Sequence, residues 1–162
     1  MLMEMLNKNR SLRGLIILGL AGGVLPTLFL AMPRLGLMRS AIAHEVEVSG
    51  DVAATFHLEP NHNPKAGETA RVWFALTRKG GQIIPLEQCN CQLAVYPQHH
   101  KEGEKPIMEP RLEAVSAEQY KGIPGAKIIF PKVGNYELEL SGTAKNGANF
   151  KPFELSYTVT VR

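Results

Sequence analysis

Residues 69–77, TARVWFALT, form the strongest strand candidate in the chain and contain its single tryptophan. A lysine and two glycines follow at positions 79–81, and residues 82–97, QIIPLEQCNCQLAVYP, begin directly after them. Two β-prone segments joined by a short glycine-rich turn are typical of a β-hairpin. The centre of the chain therefore predicts antiparallel β-structure.

Alternation of apolar and polar residues continues on both sides of this hairpin. Such segments lie at 44–48, 52–59, 126–130, 135–141 and 152–161, with turn residues between them. Alternation over short segments is typical of strands, and a helical turn is expected only at 116–120. The pattern predicts an all-β fold, an immunoglobulin-like antiparallel β-sandwich of seven or eight strands.

The first 43 residues have the composition of an export signal. Lys8, Arg10 and Arg13 precede an uncharged apolar run at 14–32, and Ala-Ile-Ala at 41–43 offers a small-residue cleavage site. This order is typical of a secretory signal peptide. The apolar run is also long enough to cross a bilayer as a helix, so an uncleaved N-terminal membrane anchor is the alternative. In either case we expect residues 44–162 to form the β-sandwich domain outside the cytoplasm.

The net charge changes when this leader is set aside. The whole chain has 18 lysine and arginine residues and 15 aspartate and glutamate residues. Five of the basic residues and one of the acidic residues lie before position 44, which leaves 13 basic and 14 acidic residues. A protein that binds nucleic acid usually carries a cluster of basic residues. The composition therefore argues against a nucleic-acid partner.

Cys89 and Cys91 are the two cysteines of the chain, and Asn90 separates them. In a regular strand their Cα atoms would be about 6.5–7 Å apart on one face, whereas a disulfide prefers about 5.5–6 Å. A metal ion tolerates the longer spacing. A bend at Asn90 would instead allow a local disulfide, and two packed core cysteines are a third alternative. A structural role and a metal or redox role both stay open.

Three turn motifs carry a resemblance to a known group of proteins. They are P-x-A-G-E-x-A at 64–70, T-R-K-G-G at 77–81 and F-P-K-V-G-N-Y-E-L at 130–138. With the preceding leader, they resemble the YtkA-like, FixH-like and CopC-like group of exported domains, above all its uncharacterised cyanobacterial members. The resemblance implies an immunoglobulin-like fold in the periplasm or the thylakoid lumen. It also implies copper binding, which CopC-like members perform partly through an N-terminal histidine.

Cleavage after Ala43 would make His44 the first residue of the exported protein. Its free amine and its imidazole could then chelate one Cu(II) ion, because nitrogen ligands suit that ion. An uncleaved leader would remove the amine and this site with it. His44 is therefore a candidate ligand whose role depends on cleavage.

The remaining histidines lie in a strand, in a turn and in a polar loop. His57 shares a strand face with Thr55 and is expected to face solvent. His99 and His100 begin the polar loop 99–110, where an outer-shell or solvated role is expected. The metal-site candidates are His44, His57, His62, Cys89 and Cys91, with His99 or His100 as an alternative further member. Thiolates favour Cu(I) or zinc, and imidazole favours Cu(II) or zinc. The ligand types in this set therefore do not identify which metal ion would bind.

No enzyme motif is present. The chain has no G-x-S-x-G elbow, no H-E-x-x-H pair and no C-x-x-C pair. We therefore expect a non-catalytic binding domain that handles a transition metal, copper before zinc. The alternative is a structural or assembly domain without metal, whose sheet face or edge docks on a membrane protein complex.

Overall fold

The computed structural model describes residues 45–162, which belong to the compact unit Arg39–Arg162. The strands are β1 (Glu45–Ser49), β2 (Val52–Glu59), β3 (Thr69–Arg78), β4 (Gln82–Ile83), β5 (Cys89–Pro97), β6 (Glu113–Ala117), β7 (Tyr120–Ile129), β8 (Gly134–Ala144) and β9 (Phe153–Val161). A short 3-10 helix, Leu86–Gln88, precedes β5. The all-β prediction is confirmed for these residues.

The leader and His44 lie outside the described residues, so the structure does not bear on the predicted signal or anchor. Within residues 45–162, the structure has no helix of the length and hydrophobicity that a bilayer crossing requires.

The strands form two antiparallel sheets. Sheet I has the order β1-β2-β3-β7-β6, and the two-residue β4 pairs with β3 beside this path. Sheet II has the order β5-β8-β9. Both sheets contribute to one hydrophobic core, as shown by the close packing of Phe56 and Phe74 from sheet I on Tyr157 from sheet II, with ring centroids 4.7 and 5.7 Å from that of Tyr157. Residues 45–162 thus form a two-layer β-sandwich.

Burial follows the alternation of the sequence in β2, β8 and β9. In β2 every second side chain from Val52 to Leu58 is buried, and in β9 every second one from Phe153 to Val161. Successive side chains of a strand point to opposite faces, so one face of each sheet enters the core. In sheet II the opposite face carries polar side chains, and the candidate site lies there.

Two details differ from the prediction. The described residues contain nine strands, and two of them, β4 and β6, were not predicted: β4 has two residues, and the sequence of β6, EAVSA, does not alternate cleanly. The prediction of a helical turn at 116–120 is wrong, since Ala117 pairs with Tyr120 in the β6–β7 hairpin. Glu118 occupies that tight turn with a positive φ of 52°. The predicted glycine turn before β4 is confirmed, with positive φ at Gly80 and Gly81 and pairing of Arg78 with Gln82.

Candidate metal-binding site

Strand β8 places two carboxylates on the outer face of sheet II. Leu138 and Leu140 are buried in the core, while Glu137 and Glu139 alternate with them and point outward. Residues at positions i and i+2 of a strand share a face. The sequence YELEL therefore brings the two carboxylates side by side.

A turn after β5 brings His100 over the same face. The backbone N–H of Gln98 donates to the carbonyl of Asn135 at 3.0 Å, and His99 takes the left-handed conformation with φ of 67°. The chain then reverses, and the His100 ring stacks on the ring of Tyr96 with centroids 3.9 Å apart and an interplanar angle of 13°. This stacking fixes the plane of the imidazole against the sheet.

His100 lies between the two carboxylates. Its Nδ1 is 3.4 Å from Oε2 of Glu137, and its Nε2 is 3.3 Å from Oε1 of Glu139. The His100 side chain is only 14 % exposed, and its Nδ1 is buried without a hydrogen-bond partner. One ligand atom from each of the three residues fits within 4.8 Å of the others. A buried polar nitrogen without a partner is uncommon and is a reason to expect an ion or a water at the site.

The electrostatics of this face favour a bound cation. Burial raises the pKa of the Glu139 carboxyl, and the neighbouring charges of Glu154 and Glu137 raise it further, while His100 acts in the opposite direction. Burial also raises the pKa of Tyr96, with smaller contributions from acidic neighbours that include Glu139. A positive ion near Glu139 would offset both the desolvation and the repulsion.

A hydrogen bond from the adjacent strand β9 orients the Glu137 carboxylate. The hydroxyl of Ser156 on β9 donates to Oε1 of Glu137 at 2.5 Å, which leaves Oε2 directed at His100. Outer hydrogen bonds of this kind orient the ligands of metal sites and influence metal affinity.

The three side chains form a donor set suited to a divalent transition metal. Zinc binds histidine nitrogen and carboxylate oxygen at about 2.0–2.2 Å and often keeps one position for water. Imidazole also suits Cu(II), whereas Cu(I) prefers thiolate or thioether sulfur. One imidazole and two carboxylates therefore favour zinc or Cu(II) over Cu(I).

No protein-family model, curated protein or solved structure matches this chain. The candidate site thus stands on its geometry alone.

The predicted cysteine site takes the form of a disulfide. Cys89 and Cys91 are bonded to each other with Cα atoms 5.1 Å apart, shorter than a regular strand would place them. Cys89 is buried in the core, where its sulfur lies beside Gly142 and Phe153. Metal binds the thiolate form of cysteine, which a disulfide does not offer. The disulfide left open by the sequence is thus the arrangement found here.

His57 on β2 and His62 in the turn after β2 form a separate pair at sheet I. Nε2 of His62 is 3.4 Å from Nδ1 of His57, and the His57 ring stacks on Trp73 with centroids 4.7 Å apart. His57 is therefore half-buried, not fully solvent-facing as expected. The His57 ring stacks on Trp73 on the side of sheet I that faces away from the core, and the His62 ring, in the turn after β2, also contacts the core residue Phe56 with centroids 5.8 Å apart. Cys89 lies in the core and belongs to sheet II. The structure does not bring these predicted ligands into one group.

Sequence reasoning missed the grouping of His100 with Glu137 and Glu139. The alternation in YELEL was a usable signal for two carboxylates on one face. The position of His100 had no comparable signal, because it depends on the turn at His99 and on stacking against Tyr96.

Proposed function

We propose that this protein is a non-catalytic binding domain that holds one divalent transition metal ion, zinc or Cu(II), through His100, Glu137 and Glu139. The observation that carries the proposal is the half-buried His100 imidazole, which lies within 3.4 Å of both carboxylates and has a buried Nδ1 without a hydrogen-bond partner. The prediction of metal handling is retained, with a different set of ligands and with zinc placed beside copper.

The proposal includes an immunoglobulin-like fold for the domain. Strand order β2-β3-β7-β6 facing β5-β8-β9 is the order of immunoglobulin constant-type domains, with β1 as an added edge strand. The Tyr136 hydroxyl donates to the carbonyl of Lys132 at 2.9 Å and accepts from its N–H at 3.3 Å, as in a tyrosine corner. Such sandwiches commonly present a binding site on a sheet face or at a loop cluster.

Export remains part of the proposal and rests on the leader sequence. In the periplasm or the thylakoid lumen a disulfide persists, since these compartments are not kept reducing as the cytosol is. The Cys89–Cys91 bond supports this location.

Calorimetric titration of the metal-free full chain with Zn²⁺ and with Cu²⁺ tests the proposal. We expect one site per chain, and we expect His100→Ala or Glu139→Gln to weaken it by roughly 10–100-fold or more, since even outer-shell changes cost that much. The matched control is Glu104→Gln, which neutralises an exposed carboxylate of the polar loop that follows His100.

A second control separates the two histidine groups. His57→Ala with His62→Ala should leave the stoichiometric site unchanged, because these rings lie on the other sheet. Equal affinity of the wild type and the His100→Ala variant, with both folded, would refute the proposal.

A further inference from the structure

Strand β5 forms an edge of sheet II. It pairs with β8 along its whole length in a continuous antiparallel register from Cys89↔Ala144 to Pro97↔Tyr136. Within residues 45–162, its other edge contacts the chain at two points: the Cys89 N–H donates to the Leu86 carbonyl, and an isolated bridge joins Val95 and Met108. Between these two points lie Cys91 and Leu93.

The Val95 bridge shows which backbone groups point to the open edge. The Val95 N–H donates to the Met108 carbonyl at 2.9 Å, and the Val95 carbonyl accepts from the Ile107 N–H at 2.8 Å. In an antiparallel strand every second residue directs its N–H and C=O to the same side. Because the register with β8 has no bulge, Leu93 and Cys91 direct theirs to this edge as well.

Among residues 45–162, no backbone partner at this edge is found for Leu93 or Cys91. The chain leaves the strand after Met108, and a groove of about 630 Å³ lies beside β5. Leu86, Leu93 and Leu112 line this groove together with charged residues of both signs, among them Arg111, Lys145 and Glu154. The groove thus combines an unpaired strand edge with apolar and charged walls.

We propose that this groove binds an extended peptide segment of a partner protein, which adds as a short strand to the open edge of β5. Unpaired edge groups are a template for another chain, and an added strand gains affinity from backbone hydrogen bonds and specificity from side-chain pockets. The chain itself pairs with this edge two residues after Leu93, where Ile107 and Met108 form backbone hydrogen bonds with Val95. The peptide would continue that pairing at Leu93 and Cys91.

The groove beside β5 suits an extended peptide better than a compact small molecule. The unpaired groups are repeated donors and acceptors along a strand, which match another backbone in register. The apolar walls at Leu86 and Leu112 would accept side chains that alternate along the peptide. Glu139 lines this groove and the metal site alike, so the test is carried out without metal.

The test begins with a phage-displayed library of random octapeptides selected on the metal-free full chain. A retained peptide is synthesised, and amide hydrogen exchange of the protein is measured by NMR with and without it. We expect exchange at Leu93 and Cys91 to slow by roughly tenfold or more on peptide binding, as new hydrogen bonds protect these amides. Gln92 and Ala94 are controls within the same strand, because their amides already face β8.

Three outcomes would overturn the proposal. The first is a selection that retains no peptide. The second is a retained peptide that leaves exchange at Leu93 and Cys91 unchanged. The third is protection of Leu93 that rises with protein concentration alone, which would assign the edge to a second copy of this chain. None of these outcomes depends on metal binding, so the peptide-binding proposal and the metal-site proposal are tested independently.

Discussion

His100 can interact with its neighbours in two ways, and these differ in the charge of its ring. Protonated, it would form ion pairs with Glu137 and Glu139 through its two ring nitrogens, which lie 3.4 and 3.3 Å from their oxygens. Neutral, it can give one nitrogen to a metal ion that the carboxylates also bind. Protons and metal therefore compete for the same three side chains, and metal affinity should rise with pH.

Glu139 should make the metal-free protein less stable as the pH rises. Burial raises the pKa of its carboxyl in the folded state above the unfolded value of about 4.3. Such a group stabilises the fold below its unfolded pKa, and this contribution is lost as the pH rises through the folded pKa. We consider the free energy of unfolding of the wild type minus that of Glu139→Gln, both measured in EDTA. This difference should fall as the pH rises from about 4. Urea unfolding over a pH series measures this, and a flat or rising difference would contradict it.

The disulfide should contribute to stability and not to metal binding. In the chain-entropy account, closing so short a loop contributes about 1–2 kcal/mol. We expect Cys89→Ala with Cys91→Ala to lower the free energy of unfolding by about that amount, plus a packing loss at the buried Cys89. Zinc affinity should not change. A loss of zinc binding in this folded variant would move the site to the cysteines and contradict the present assignment.

Strand β8 links the fold to the site. Its inward residues pack in the core, and its outward residues supply two of the three proposed ligands. Near its start, the Tyr136 hydroxyl forms hydrogen bonds with the backbone of Lys132, which lies just before the strand. A change in the register of this strand would move both carboxylates to the core face. The tyrosine contacts at its start therefore help to keep Glu137 and Glu139 outward.

Removing the Tyr136 hydroxyl should destabilise the protein measurably. Tyr136 is buried, and its hydroxyl both donates to and accepts from Lys132. We expect Tyr136→Phe to lower the free energy of unfolding by about 1–2 kcal/mol, the usual cost when buried hydrogen bonds are lost. Tyr120→Phe is the control, at a half-buried position in the β6–β7 hairpin, and should change stability by less than about 0.5 kcal/mol. Equal effects of the two substitutions, by chemical denaturation, would contradict the structural role of the corner.

The strands were predictable where the local pattern is strong. Alternation identified β2, β8 and β9, because burial of every second residue leaves a direct trace in the sequence. Strand β3 was predicted from its β-prone residues and buries five residues in a row. Strand β4 is too short to leave such a trace, and β6 lacks a clean alternation because Ala114 and Val115 are adjacent. The helical turn predicted at 116–120 falls on the end of β6 and the hairpin turn into β7. Pairing partners and the placement of His100 depend on contacts between distant residues, which a local pattern does not encode.

Across the whole molecule, a metal ion on sheet II should stabilise the folded state. The proposed ligands come from β8 and from the loop after β5, so binding joins two segments that separate on unfolding. With Zn²⁺ at 100 times its Kd, the free energy of unfolding should rise by about 2.7 kcal/mol. Thermal unfolding of the wild type with and without Zn²⁺ checks this, with His100→Ala as control. An equal rise in the variant would contradict a site at His100.

The most direct measurement is anomalous X-ray diffraction at the zinc edge from crystals grown with stoichiometric Zn²⁺. The proposed function predicts one strong peak among His100, Glu137 and Glu139, about 2.0–2.2 Å from one nitrogen and two carboxylate oxygens. A peak beside His57 and His62, or no peak between Glu137 and Glu139, would contradict it.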